Sequence, residues 1–225
     1  MSALLIPRWM LPVAALLPLD AGGLPPLSNL DALNLVRTAA PLLSQQESQF
    51  VRIIARHETT YARGWKDNKD IPGAVGDPTE SHNMGAITAH PAWVSAGKPF
   101  FTYMDGLAVK EARKFKVYQD DGFGIRDLAR ELFVRRAGIK EALAKGDGLR
   151  AVTIMKETRY FEAPLDSYIT AVKRNYEVIL ASTKEPRLLR FDPEASTTVM
   201  PNTGSSGVLE LAVVVGAMWA AGKWL

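Results

Sequence analysis

The segment SQQESQFVRIIARHETTYARG, residues 44–64, opens on a Ser-x-x-Glu pattern and closes on a glycine. Ser44 and Glu47 are spaced for a capping box, in which each side chain satisfies the other's free backbone N–H. Gly64 is the natural stop for the helix that this box opens. Projected at 100° per residue from Phe50, the residues Ile53, Ile54, Tyr61, Val51 and Ala62 fall in one arc from about −60° to about +120°. Arg52, Arg56, Thr59 and Arg63 lie on the opposite side. Glu58 falls at about +80°, inside the apolar arc, and His57 joins it at about −20°.

A carboxylate on a core-facing stripe is the informative exception, because Glu is seldom buried without a partner or a task. Loss of water raises a carboxyl pKa. Glu58 would then hold a proton near neutral pH and have it to donate. The alternative is that Glu58, so near the helix end, leans into solvent or pairs with an arginine. His57 reads as a core or supporting histidine rather than a catalyst.

Outward from this helix, Ile125, Leu128, Ala129, Leu132 and Phe133 follow the i, i+3, i+4, i+7, i+8 spacing of an amphipathic helix. Leu165, Tyr168, Ile169, Val172, Tyr176 and Ile179 repeat that pattern, with Pro164 placed in the first turn. Asp67–Ser81 is polar and rich in Asp, Gly and Pro, and only short extended segments such as Phe115–Tyr118 are expected. The spacing predicts a mainly α domain of the α+β class over residues 28–183, helical with a small irregular or β-containing lobe.

The two ends have a different character. Residues 1–27 read as an apolar N-terminal arm. Leu11–Leu17 has the length of an export-signal core, but Pro7, Pro12 and Pro18 interrupt the region and only Arg8 precedes it with a positive charge. Residues 184–207 read as a linker. Residues 208–225, VLELAVVVGAMWAAGKWL, would form a hydrophobic C-terminal helix roughly 27 Å long, close to the ~30 Å of a bilayer core. Lys223 and Trp224 suit the interface at its end. A membrane-inserted tail is the expectation for this segment, and a buried helix or an oligomer contact is the alternative.

Composition narrows the chemistry. The 225 residues include no Cys and only three His, and the formal charge is +3 with no basic run. Thiolate metal sites, disulfides and Cys nucleophiles are excluded. The electrostatic case for a nucleic-acid partner is weak. There is no G-x-S-x-G and no P-loop, and Arg-His-Glu-Thr-Thr at 56–60 lacks the second His of a zincin. Neither a metal nor a cofactor is called for.

Four segments resemble one family in order along the chain. IIARHETTYARGW (53–65) is similar to the helix carrying the catalytic Glu in peptidoglycan hydrolases of the lysozyme superfamily. SHNMGAIT (81–88) resembles the Asn-Asn-Leu-Phe-Gly-Ile or Asn-Trp-Gly-Ala-Ile segment of the bacterial endo-β-N-acetylglucosaminidases of the flagellar and autolysin kind. FKVYQDDGFGIRDLARELF (115–133) is similar to their Phe-Arg-x-Tyr segment and its following helix, and TRYFEAPLDSYITAV (158–172) to their Gly-Tyr-x-Thr-x-x-x-x-Tyr ending. Thr59-Thr60 stands where the family has Ser-Gly, Trp65 lies farther from the Glu, and the Asn-Leu-Phe-Gly segment is shortened to Asn83-Met84-Gly85.

The resemblance implies a lysozyme-like fold and cleavage of the glycan strand of peptidoglycan, with Glu58 as the acid and Tyr160 near it across the groove. Asn83, Gly85 and Ile87 would lie on the substrate-binding segment. The family's second acid comes from a variable lobe; Glu80 is the candidate here, with Asp77 and Asp70 behind it. The substrate's own acetamido group and its 6-hydroxyl are the other routes, the latter making a lytic transglycosylase; a muramidase on the same fold is the remaining enzymatic alternative. A glycan groove needs flat apolar faces with polar rims. Trp65, Trp93 and Tyr103 are candidates for it, while Phe101 and Tyr118 are expected in the core. With apolar ends, the setting implied is membrane-associated, in a bacterial envelope or a phage virion membrane. A catalytically decayed wall-binding or structural membrane protein is the rival of another class, kept open by Thr59-Thr60.

Overall fold

The capping box forms as expected: Glu47 N–H donates to Ser44 Oγ at 3.2 Å, and Ser44 N–H to Glu47 Oε2 at 2.7 Å. The helix it opens is α2, Gln45–Thr59. It belongs to a computed structural model that describes residues 24–105 and 111–193. Helix α1 (Asn29–Ala39) precedes it, and α3 (Pro91–Ser95), β1 (Phe100–Asp105), β2 (Glu111–Lys116), α4 (Asp121–Phe133), α5 (Ile139–Ala144), α6 (Gly148–Glu157) and α7 (Leu165–Thr183) follow. The class is mainly α with one antiparallel hairpin, as the spacing predicts.

Helices α1, α4, α5 and α7 pack around α2. Both periodic stripes face inward: Ile125, Leu128 and Leu132 of α4 and Val172, Tyr176 and Ile179 of α7 are fully buried. The side of α2 opposite its apolar arc is covered as well. Arg52 there has no solvent exposure, and its Nη2 donates to Glu185 Oε2 at 2.7 Å. Helical projection does not foresee this, because the partner arrives from the far end of the chain.

The helix ends at Thr59, five residues before Gly64, which corrects the expected stop. Thr60, Tyr61 and Ala62 all have left-handed backbones, with φ of 48°, 59° and 63°. That conformation costs roughly 1–2 kcal/mol per non-glycine residue. Hydrogen bonds offset it: Thr59 Oγ1 donates to Met84 O at 2.8 Å and accepts from Ala62 N–H at 2.8 Å, and Gly64 N–H donates to Thr59 O at 2.7 Å. Tyr61 and Ala62 are buried as the projection requires, but through this tight reversal instead of a further helical turn.

In the hairpin, Phe101 faces Phe115, Tyr103 faces Arg113, and Asp105 faces Glu111. Strand side chains alternate between faces. One face therefore carries an aromatic base at Phe101 and Phe115, then Tyr103 and Arg113, then the acids Asp105 and Glu111. Short extended segments were expected, with Phe115–Tyr118 as the example; β2 reaches only its first two residues, and β1 lies outside it.

Between α2 and the hairpin, the polar stretch 67–81 is a loop holding one 3-10 turn, Pro78–Glu80, capped by Asp77. The following loop is pinned from within. Buried Asn83 donates from Nδ2 to Ile87 O at 2.9 Å and Lys116 O at 3.0 Å, and its Oδ1 accepts from Ile87 N–H at 2.8 Å. Glycine is required where α4 meets this loop: a Cβ on Gly124 would stand 2.1 Å from His82 O.

The domain continues past the expected boundary at 183. In residues 184–193, read as the start of a linker, Leu189 and Phe191 are buried. Leu188 and Leu189 N–H donate to Tyr176 Oη at 2.8 and 3.1 Å. The described unit ends at Pro193. Residues 1–23 of the arm, residues 194–207 of the linker and the tail at 208–225 lie outside the described residues. Among the described residues, no helix is long and apolar enough to cross a membrane.

Candidate active site

Glu58 occupies the last turn of α2, just before the left-handed reversal. Its carboxyl is set into an aromatic wall that α7 and the segment before it supply. Tyr168 donates its O–H to Glu58 Oε1. The Tyr168 ring stacks on Phe161, centroids 3.6 Å apart, and meets the edge of His57 at 4.4 Å. Burial is the main cause that raises the Glu58 pKa from 4.5 to about 7; the Tyr168 hydrogen bond works against the shift, and the charge of Asp105 adds to it. A carboxyl with that pKa carries a proton in a large fraction of molecules at neutral pH, as a general acid needs.

Two tyrosines feel this charge. Burial holds the Tyr160 and Tyr168 phenols well above their ordinary range, and proximity to Glu58 pushes both further up. Tyr160, expected near Glu58, is thus coupled to it electrostatically. Its O–H donates to Gly85 O at 2.9 Å, and the Arg136 guanidinium lies 4.7 Å from its ring centroid. A Cβ on Gly85 would stand 3.1 Å from that hydroxyl and 2.5 Å from Leu128 Cδ1, so a larger residue there would have to push these side chains aside. His57 is pushed down by burial and, secondarily, by Arg174. It packs behind Tyr168, consistent with a supporting histidine.

The hairpin places a second acidic side chain within electrostatic reach of Glu58. Asp105 ends β1 on the same face as Tyr103, and it is the acidic side chain whose charge acts on Glu58. Glu80, the candidate from sequence, is exposed at the end of the 3-10 turn and makes no hydrogen bond or ion pair among the described residues. Asp77 caps that turn by accepting from Thr79 N–H at 2.8 Å. Asp70 is exposed in the same loop.

The aromatic candidates divide into two groups. Trp65 lies against Phe101, Tyr103 and Phe115, with centroids 4.9, 5.1 and 5.3 Å away, and its Nε1–H donates to Asn83 O at 3.2 Å. Trp65 and Tyr103 are partly exposed, and they meet each other and the buried Phe101 edge to face, forming an apolar aromatic patch. Trp93, on α3, belongs to a separate pair with Tyr118, and Lys98 and Lys116 Nζ lie 4.8 and 4.9 Å from its ring. Asn83 and Ile87 are buried, and they shape the loop from inside. Among the described residues, no group of three His, Asp or Glu side chains is placed to hold a metal ion.

Asp105, Tyr168 and Phe161 join the candidate site without a sequence signal that marks them for it. Tyr168 sits on a perfect core stripe, which hides its hydroxyl. Asp105 needs the strand register to be seen at all.

No protein-family model matches the chain, and neither does any curated protein. Among solved structures, it is similar to a peptidoglycan hydrolase from Sphingomonas sp. A1 at 18% identity and a TM-score of 0.49, over 71% of this chain and 98% of that one. It is also similar to the glycoside hydrolase domain of FlgJ from Salmonella typhimurium at 18% identity and a TM-score of 0.45, over 70% of this chain and 92% of that one.

Proposed function

We propose that the domain cleaves the glycan strand of peptidoglycan, with Glu58 as general acid. The observation that carries this reading is the Glu58 carboxyl held by the Tyr168 hydroxyl against an aromatic wall, its pKa raised to about 7 chiefly by burial and further by the charge of Asp105. Glycosidic cleavage needs an acid to protonate the leaving oxygen and a second group to support the oxocarbenium-like centre. Glu58 gives its proton to the bridging oxygen as the C–O bond breaks. Asp105 takes the second role in place of Glu80, as a carboxylate that stabilises the developing positive charge or draws a proton from the attacking water. Trp65 and Tyr103 provide the apolar platform for sugar faces.

The finer assignment is an endo-β-N-acetylglucosaminidase, supported by the four ordered segments that resemble that family. The rival reading, a decayed wall-binding protein, rests on Thr59-Thr60. Thr59 is instead an anchor of the turn after Glu58, through its hydroxyl bonds to Met84 O and Ala62 N–H. Turbidity loss of purified peptidoglycan, followed with wild type and Glu58→Gln, tests the enzyme. Clearing by wild type alone supports it; equal clearing, or none by either, rejects it.

Attachment to a bacterial envelope or virion membrane through residues 208–225 is part of the same proposal, supported by the length and flanks of that segment. Deleting 208–225 should release the protein into buffer without detergent. If the fractionation does not change, the attachment is wrong.

A further inference from the structure

The hairpin and the helical part of the site are joined through one guanidinium. Arg113 Nη1 lies 3.2 Å from Asp105 Oδ2, its Nε 3.8 Å from Glu111 Oε2, and its Nη2 2.9 Å from Glu162 Oε1. Asp105 and Glu111 are directly opposite in the register, an arrangement of like charges that destabilises a strand pair. Arg113 relieves it and reaches beyond the hairpin.

Glu162 is the residue after Phe161, whose ring stacks on Tyr168, whose hydroxyl holds Glu58. From the helical side, Lys156 Nζ donates to Glu162 O and Ala163 O, both at 2.8 Å, and so pins this segment. The contacts form a chain from Asp105 through Arg113, Glu162, Phe161 and Tyr168 to Glu58.

We propose that Arg113 is a positioning residue that, by tying the acidic end of the hairpin to Glu162, sets where the Asp105 carboxylate stands relative to Glu58. Arg113 does not touch the bond being broken; it acts through Asp105. The charged groups that face it are Asp105 and Glu111 from the hairpin and Glu162 from the segment leading into α7. Glu58 is faced by Asp105, Tyr160 and Tyr168. The proposal rests on the reading of Glu58 and Asp105 as the two groups of the site.

The test is the pKa of the Glu58 carboxyl, followed by 13C NMR in the full chain for wild type, Glu162→Gln, Asp105→Asn and the double variant. Glu162 is 57% exposed and the change to Gln keeps its shape, so the fold is retained. Asp105→Asn removes a charge that raises the Glu58 pKa, and the value falls. Glu162→Gln frees the hairpin end from the helical side, and the value falls in the same direction, by a few tenths of a unit. In the Asp105→Asn background, Glu162→Gln adds nothing, because the charge it positions is gone. A Glu58 pKa unmoved by Glu162→Gln, or moved equally in both backgrounds, overturns the proposal. The resonance needs no substrate. Failure of the glycosidase reading would therefore show as absent peptidoglycan cleavage, with this pattern intact.

Discussion

Tyr168 donates its phenolic hydrogen to Oε1 of Glu58, a bond between residues 110 apart in sequence. It fixes one carboxyl oxygen against α7 and leaves the other for chemistry. It also opposes the effect of burial on Glu58, since a donor to a carboxylate favours the charged form. The pKa of about 7 is thus a balance between an apolar wall and one hydroxyl, with Asp105 weighing on the side of the wall.

Tyr168→Phe removes the donor and keeps the ring. The Glu58 pKa should then rise above its present value, moving the alkaline limb of the pH–rate profile to higher pH. The rate at the optimum should fall about tenfold as the carboxyl loses its fixed orientation. An alkaline limb that stays put would show that the hydroxyl does not tune Glu58.

Asp105→Asn should move the same limb the other way. Without that negative charge the Glu58 carboxylate is less disfavoured, its pKa falls, and activity is lost at lower pH than in wild type. With Asp105 as the proposed second group of the reaction, the maximal rate should drop roughly 10²-fold or more. Glu80→Gln serves as the comparison and should leave both the limb and the rate near wild type.

Stability carries the same signature. The folded pKa of Glu58 is raised above 4.5, so the favourable contribution is complete below that value and is lost as pH climbs toward about 7. Between those limits the unfolded chain releases the proton and the folded one retains it, and wild type loses about 3 kcal/mol. Glu58→Gln has no such loss. Urea unfolding should show the variant gaining on wild type across that window, with the gap constant on either side of it.

The buried pair Arg52–Glu185 makes the end of the domain testable. Neither side chain is more than 7% exposed, and Arg52 Nη1 is buried without a hydrogen-bond partner. Glu185→Ala leaves a guanidinium uncompensated in the interior, a change that costs about 3–5 kcal/mol. Chemical denaturation measures it directly. A loss below about 1 kcal/mol, the range of exposed pairs, would mean that residues 184–193 are an appendage.

What the sequence makes legible here is what neighbours in sequence decide. The capping box at Ser44 and the stripes of α4 and α7 are visible because 3.6-residue periodicity is a local property. Glu58 is legible for the same reason, as a polar residue on an apolar arc. The turn after it is not, because Thr60, Tyr61 and Ala62 take left-handed backbones that their side chains disfavour, and bonds from Thr59 and Gly64 impose them. Arg52 looked like a surface residue since its partner lies 133 positions away. Asp105 was hidden by strand register and Tyr168 by its place on a core stripe. In both cases the candidate atom is revealed only when two distant elements meet.

The account turns on Glu58 donating a proton to a glycan bond, and the most direct measurement is mass spectrometry of the fragments released from purified peptidoglycan at neutral pH. Wild type should liberate muropeptides with new reducing N-acetylglucosamine ends, and Glu58→Gln should release them at least about 10²-fold more slowly. Reducing N-acetylmuramic acid or anhydro ends would keep Glu58 and change the bond or the route assigned. Release by Glu58→Gln at the wild-type rate, or no release by wild type, would contradict the account.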